Sequence, residues 1–355
     1  MSLNSILTIL YTIITFSIII FVHEFGHFIF SKLFGVYVHE FAVGMGPAIF
    51  KKKKGETLYS IRAIPMGGYC KLEGEDGNST LPGSLSSINR FKKFIILFAG
   101  SFMNFVLGFL VVITLFSFYT PGEFASTTIS NVIENTAAYD AGIKSGDKII
   151  YLDNHKINFN NDFYMYNTGD TINLTVKRGN EKLSFTVTPK SYLLDKNGNI
   201  IKESNEEGSY KLLGIQFGKE KKTFLTVIKN SFYQSILFGK TIFLSFTDML
   251  KGKISIDQLS GPVGIVKEIN TAATNGFDYL LYIIAIISIN LGICNLFPLP
   301  ALDGGRIVFV IIESIIRRPI PEKYEAIIHT AGFLLLIILM LFVTGNDILR
   351  IFGGR

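Results

Sequence analysis

At 355 residues, with 48% hydrophobic and only 17% charged side chains and a mean hydropathy of +0.39, the chain lies outside the composition of soluble domains, which excludes a purely cytosolic enzyme. The net charge of +6 does not mark a nucleic-acid binder, because Lys and Arg flank apolar runs instead of forming a stripe interleaved with aromatics. Two cysteines, Cys70 and Cys294, make neither a disulfide framework nor a metal ribbon.

The uncharged run Ser5 to Val22 predicts a first membrane span, with a helix that continues through His23 toward Phe34. No Lys or Arg precedes it and HEFGH follows, so it reads as a retained span and not as a signal peptide. Phe94 to Phe118, Tyr279 to Leu302, and Thr330 to Asn346, extendable back to Ala326, predict three more. The expected fold class is an α-helical polytopic membrane protein of four transmembrane helices. Lys32, Lys51 to Lys54, Arg62, Lys71, Arg90, Lys92 and Lys93 lie between the first two spans, which puts that segment in the cytoplasm and the N terminus outside. Arg306, Arg317, Arg318 and Lys323 do the same for the segment between spans three and four. Thr223 to Thr247 reads as an amphipathic surface helix, since Lys229 and Lys240 would each cost about 3 kcal/mol in hydrocarbon.

His23-Glu24-Phe25-Gly26-His27 at the end of the first span is an H-E-x-x-H sequence. On a helix, positions i and i+4 share a face, so both imidazoles can hold one zinc ion while Glu24 stays beside it as a proton carrier for hydrolysis. Ionisable groups at the end of an apolar span are expensive and mark function by default. A catalytic zinc site needs a third protein ligand, and Asn295-Leu-Phe-Pro298-Leu-Pro300-Ala-Leu302-Asp303-Gly304-Gly305 offers Asp303. Pro298 and Pro300 cannot continue a regular helix, so this segment should be a broken end of the third span. At about 1.5 Å per residue, His23 lies about 27 Å from Ser5 and Asp303 about 36 Å from Tyr279, both toward the cytoplasmic face. His329, at the start of the fourth span, is a rival third ligand.

These residues resemble the site-2 protease family of intramembrane zinc metalloproteases, peptidase family M50, and within it the bacterial regulator-of-sigma-E protease group. The resemblance covers most of the chain: H-E-x-x-H, then a β-rich insert, then N-x-x-P-x-P-x-L-D-G as Asn295 to Gly304, in the family's order. It implies His23, His27 and Asp303 as zinc ligands, Glu24 as the catalytic base or acid, and Asn295, Gly67 and Gly68 as substrate-binding residues. Asn295 could bond the substrate backbone or oxyanion, or equally satisfy carbonyls freed by Pro298. Phe41 to Pro47 resembles the family's glycine-rich membrane-associated loop, and Thr57 to Leu72 its β-hairpin, whose edge could hold an unwound substrate segment. Cys70 and Cys294 read as packing residues, and Glu73, Glu75 and Asp76 as a solvated acidic cluster that could bind a cation.

The insert changes character. Alternation in Ile129 to Ile133, Lys148 to Leu152, Thr171 to Val176 and Leu183 to Val187 predicts strands, with turns at Gly142, Gly146 and Arg178-Gly179. Ala141 to Asp147 resembles a single PDZ domain of the bacterial protease type, which would bind extended peptides and hinder bulky untrimmed substrates. Lys190 to Ser209 reads as a flexible extension or loop, and Gly261-Pro262-Val263-Gly264-Ile265 resembles a motif that precedes the third span in relatives. The expected division is residues 1–118 (two spans with the metal motif and hairpin), 119–220 (extracytoplasmic PDZ-like domain), 221–278 (amphipathic helices) and 279–355 (two spans with the second motif). The implied function is endoproteolysis in or near transmembrane segments of single-span membrane proteins, such as anti-sigma factors and remnant signal peptides. It would follow a first cut by another protease, in the cytoplasmic membrane, with both termini and the PDZ-like domain outside. A non-catalytic PDZ-bearing scaffold is the alternative, which the intact Glu24 disfavours; a metal transporter would need ligands along a path.

Overall fold

Apolar runs become long helices in the computed structural model, which describes residues 3–75, 79, 81–120, 122–167, 170–195, 200–204, 206, 209–253, 255, 260–318 and 320–352. In chain order the elements are α1 (Leu3–Leu33), β1 (Val38–Lys54), β2 (Thr57–Leu72), α2 (Arg90–Phe118), β3 (Glu123–Val132), α3 (Ala137–Asp140), β4 (Lys148–Leu152), β5 (His155–Lys156), α4 (Asn160–Tyr166), β6 (Ile172–Arg178) and β7 (Glu181–Val187). There follow β8 (Lys190–Leu194), β9 (Ile200–Glu203), β10 (Tyr210–Leu212), β11 (Ile215–Lys221), α5 (Phe224–Leu250), α6 (Pro262–Asn275), α7 (Phe277–Leu296), α8 (Asp303–Ile316) and α9 (Glu322–Phe352). Among the described residues, four helices are long and apolar enough to cross a membrane: Ile6–Leu33, Arg90–Phe118, Phe277–Leu296 and Lys323–Arg350. With the β-rich insertion, that makes a polytopic membrane protein. α5 is a single helix and is not one of the four.

The chain folds as two units, Met1–Leu115 with Phe238–Arg355, and Phe116–Leu237. In the first, α1 and α2 approach closely because Gly26 has no side chain: a Cβ there would lie 2.4 Å from the Ala99 carbonyl oxygen. The third expected span ends earlier than Leu302. α7 stops at Leu296, and Phe297 begins an irregular stretch that lasts until α8 starts at Asp303. Proline has no N–H to give the helical ladder, so the prolines at 298 and 300 end the helix six residues before the expected boundary. The segment Phe41 to Pro47, expected as a loop, is strand within β1, and Gly44 and Gly46, at φ +86° and +81°, bend it. Residues Glu40 to Val43 have partners on both sides, Leu58 to Ile61 and Gly68 to Lys71, so the stretch Gly68–Leu72 forms an outer edge.

α6 is tied to α9 by an unexpected carboxylate. Asp347, 3% exposed, accepts the Gly261 N–H at 3.2 Å and the Gly264 N–H at 2.8 Å. A Cβ at Gly261 or Gly264 would come 2.8 or 3.0 Å from that carboxylate. The two glycines of the Gly261 to Ile265 motif thus make room for an anion at the N-terminus of α6, where unpaired N–H groups favour one.

The second unit holds an antiparallel sheet in the order β11-β3-β4-β6-β7, with β5 on β4. Its core is the inward set Ile129, Ile149, Leu152, Ile172, Leu174 and Val176, each at most 1% exposed; Ile172, Leu174 and Val176 follow period-2 alternation, while a register irregularity in β4 turns Ile149 and Leu152 to the same side. The four expected strands fall in β3, β4, β6 and β7. Within Lys190 to Ser209, expected as a flexible extension or loop, the described residues include β8 and β9, which join β10 in a three-stranded sheet of order β10-β8-β9, and Tyr192 in β8 is 1% exposed. Strands of three to five residues carry little periodic signal. Arg178 clamps the buried Asp147 with Nε to Oδ1 at 2.7 Å and Nη2 to Oδ2 at 2.8 Å, and the Lys144 N–H adds a third bond at 2.9 Å.

Burial alone would raise the Asp147 pKa, but the Arg178 and Lys144 donors outweigh it and hold the carboxyl below its usual range. A lowered folded value means that this stabilisation is complete above about pH 4 and is lost as pH falls through the folded pKa. Arg178→Ala should therefore cost about 2 kcal/mol or more at neutral pH by stranding a buried carboxylate, and flatten the acid limb of a melting-temperature profile. In the other unit, Asp347→Ala should destabilise by about 1–3 kcal/mol, read as earlier thermal unfolding in detergent, with Asp347→Asn in between.

Candidate metal centre

His23 and His27 stand one turn apart on α1, 7% and 9% exposed. The break after α7 delivers Asp303 to them as the first residue of α8. Asp303 Oδ2 lies 3.2 Å from His23 Nε2 and 3.3 Å from His27 Nε2, and the two Nε2 atoms are 3.3 Å apart. These three atoms form a nearly equilateral triangle. Ligands at about 2.0–2.1 Å from a tetrahedral zinc ion are separated by about 3.3 Å, so the triangle matches one face of such a site. The donor set suits zinc as well, two imidazoles and a carboxylate. Asp303 Oδ2 is buried and accepts no hydrogen bond from any described residue, which leaves a buried carboxylate oxygen in want of a cation. Among the described residues this is the one group of three or more His, Cys, Asp or Glu side chains whose donor atoms converge in this way.

The sequence-predicted residues do not all arrive together. Glu24 lines a cavity of about 360 Å³ with His27, Cys70, Asp303 and Arg306, and its Oε2 accepts the Cys70 N–H at 3.0 Å. Gly68 sits beside Glu24: a Cβ there would be 2.8 Å from the Ala42 carbonyl oxygen and 3.8 Å from Glu24 Cγ. Gly67 instead faces the Met45 side chain. The Asn295 Nδ2 lies 3.5 Å from His23 Nδ1 and 3.4 Å from Nε2, so its amide rests against the imidazole and not on a carbonyl freed by Pro298. His329 is not in the cluster, for its Nδ1 accepts the Ala301 N–H at 2.9 Å. Glu73 hydrogen-bonds His39, and Glu75 pairs with Arg306 at 2.6 Å, so each of these two carboxylates has a partner in the chain; Asp76 lies outside the described residues. Burial first, and then the Glu24 charge, push the Cys70 thiol up, which keeps it protonated and inert.

Sequence reasoning missed the contribution of α2. His27 Nδ1 lies 2.8 Å from the Ile96 carbonyl oxygen, an acceptor that puts the proton on Nδ1 and frees Nε2 for a metal. Gly100 lies against both rings: a Cβ there would sit 2.3 Å from His27 Nε2 and 2.7 Å from His23 Cε1. Asn104, 0% exposed, places its amide 3.3 Å from His23 Nδ1. A helix face with a residue at every fourth position was there to be read in the sequence, but nothing in it said that this face meets the motif.

Long apolar helices that enclose a His-His-Asp triangle with a glutamate beside it define a membrane metallohydrolase. Comparison with known proteins sharpens the class. The model of Peptidase family M50 matches residues 11–339. A Clostridium perfringens protein described as a "Putative zinc metalloprotease" is 38% identical over 346 residues, 96% of this chain and 98% of its own. Proteins of the same description from Fusobacterium nucleatum and Campylobacter jejuni are 35% and 33% identical, over 98% and 96% of this chain and 100% and 93% of theirs. The chain belongs to peptidase family M50 and is a zinc metalloprotease.

Gly100→Ala tests the fit of α2 against the imidazoles. Alanine favours helix more than glycine does by about 1 kcal/mol, so any loss comes from the clash with the rings. The zinc affinity of the purified chain should fall by about tenfold or more, measured by chelator competition, while helical circular dichroism is retained.

Proposed function

We propose that the chain is an intramembrane endopeptidase that cuts single-span membrane proteins in or near their transmembrane segments. The observation that carries this reading is the 3.2–3.3 Å triangle of His23, His27 and Asp303 with Glu24 beside it, held by helices apolar enough to span a bilayer. In this reading His23 Nε2, His27 Nε2 and one Asp303 oxygen hold the ion. When bound, zinc supplies Lewis acidity toward water and toward the scissile carbonyl. Glu24 moves the protons: with Oε2 fixed by the Cys70 N–H, its free oxygen takes one from water and returns it to the leaving amine. Asn295 reaches the centre from the end of α7 with an amide that can donate to the developing oxyanion.

A helical peptide bond is already hydrogen-bonded and shielded, so a transmembrane substrate must unwind before attack. The edge Gly68–Leu72 offers main-chain groups beside Glu24, and the bare Gly68 lets this edge pack against the Ala42 carbonyl of β1. Gly67, turned toward Met45, acts in this reading only by shaping the turn into that edge. The basic segments between spans one and two and between three and four support a cytoplasmic location for the site, with both termini and the PDZ-like unit on the other face. Anti-sigma factors and remnant signal peptides, trimmed first by another protease, fit such a site as substrates, with residues 1–118, 119–220, 221–278 and 279–355 as its functional divisions.

The test is the purified full-length chain with a model single-span substrate, beside Glu24→Gln. Both forms should carry one zinc per chain, and only the parent should cleave, with rates down by at least about a hundredfold in the variant and abolished by chelator in the parent. Cleavage by Glu24→Gln at the parental rate would sink the role given to Glu24.

A further inference from the structure

We propose that Asn104 is a positioning residue for the metal centre: its side-chain oxygen accepts the Nδ1 proton of His23 and thereby presents the Nε2 lone pair to the ion. The inference rests on the metal site above and extends it to a residue outside both motifs.

Each metal-binding histidine must carry its proton on the nitrogen away from the ion, and a neighbouring acceptor fixes that choice. For His27 the acceptor is the Ile96 carbonyl, 2.8 Å from Nδ1. His23 has no carbonyl in that place. Its Nδ1 faces Asn104, which is 0% exposed and sits two turns beyond Ile96, with Gly100 between them against both rings. Residues 96, 100 and 104 recur at i, i+4 and i+8, so one stripe of α2 serves both imidazoles.

The amide group is close to symmetric in shape, and its oxygen and nitrogen exchange places by a half-turn. With Nδ2 at 3.3 Å from His23 Nδ1, two nitrogens face each other and Asn104 Oδ1 is buried with no hydrogen-bond donor among the described residues. The half-turn puts the oxygen opposite Nδ1 and turns the contact into an N–H···O bond. That rotamer forces the proton onto Nδ1, the tautomer that leaves Nε2 free on the side of Asp303 and His27. Asn295 cannot do the same work, because its amide nitrogen stands almost equally far from both ring nitrogens, 3.5 and 3.4 Å, and so lies across the ring and not at the end of its Nδ1–H bond. The Asn104 backbone is fixed independently by α7, for the Ser288 hydroxyl donates to its carbonyl at 2.8 Å.

Zinc affinity is the readout, measured on the purified full-length chain in detergent by competition against a chromogenic chelator. Asn104→Ala should bind zinc about 10–100-fold more weakly than the parent. Asn104→Asp keeps an acceptor in place and should stay within about threefold of the parent, a rescue that general loss of packing would not give. Parental affinity in Asn104→Ala, or equal weakening in both variants, overturns the assignment. If Asn104→Ala does not fold, Asn104→Leu, of similar volume and without an acceptor, replaces it, and a tenfold loss in Asn104→Asp alone also overturns the proposal. Failure of the parent itself to bind zinc would instead strike the metal site, so the two failures are separable.

Discussion

Two imidazole nitrogens and a carboxylate oxygen brought within 3.2–3.3 Å of one another repel through their lone pairs unless a cation joins them. Everything else in the membrane unit serves that convergence. Burial at 7% and 9% exposure for the histidines keeps bulk water from solvating the groups separately, and the low dielectric sharpens both the repulsion without an ion and the attraction with one. The ion is thus a structural partner of the helices as well as the source of the chemistry, since its binding free energy opposes the strain of holding α1 and the start of α8 together.

The approach depends on the absence of side chains at a few places. Gly26 lets α1 close on the Ala99 backbone, and Gly100 lets the rings lie where a methyl group would stand. In the second motif, a Cβ at Gly304 would be 2.2 Å from the Phe297 carbonyl oxygen, and one at Gly305 would be 2.4 Å from that of Leu299. The glycine pair after Asp303 therefore allows the irregular stretch to fold back on the first turn of α8, which aims the carboxylate. Small residues at helix contacts are how membrane helices pack tightly without a hydrophobic drive between them.

What the sequence made legible follows from where the information lies. His23, His27 and Asp303 are side chains in local motifs that the sequence displays, and the fold brings their donor atoms together. The β4 strand, Lys148–Leu152, was readable from its run of β-branched and apolar residues, although a register irregularity between Ile149 and Tyr151 breaks its alternation and leaves Ile149 and Leu152 both buried. Three features were not readable. The Ile96 acceptor is a backbone carbonyl and has no residue signature. β11 was not foreseen, because it joins the sheet by pairing with β3 across more than eighty residues, and strand order depends on such long-range pairing. Asp347 looks in the sequence like an ordinary charge near a helix end, and only the fold shows that it holds Gly261 and Gly264.

The stretch between α7 and α8 shows how a distant helix takes part in aiming the third ligand. Ala301 adopts φ +74°, a conformation that costs an L-residue roughly 1–2 kcal/mol and persists only where neighbours hold it. Those neighbours are on α9: His329 Nδ1 takes the Ala301 N–H, and Gly332 leaves space for Pro300, whose Cβ would be 2.3 Å from a Cβ at that glycine. The rival ligand of the sequence reading is thereby an anchor for the true convergence, two residues upstream of Asp303. These contacts link α9 to the connection that leads into Asp303. The last helix contributes no donor atom to the triangle, yet it helps to fix where one of the three donors points.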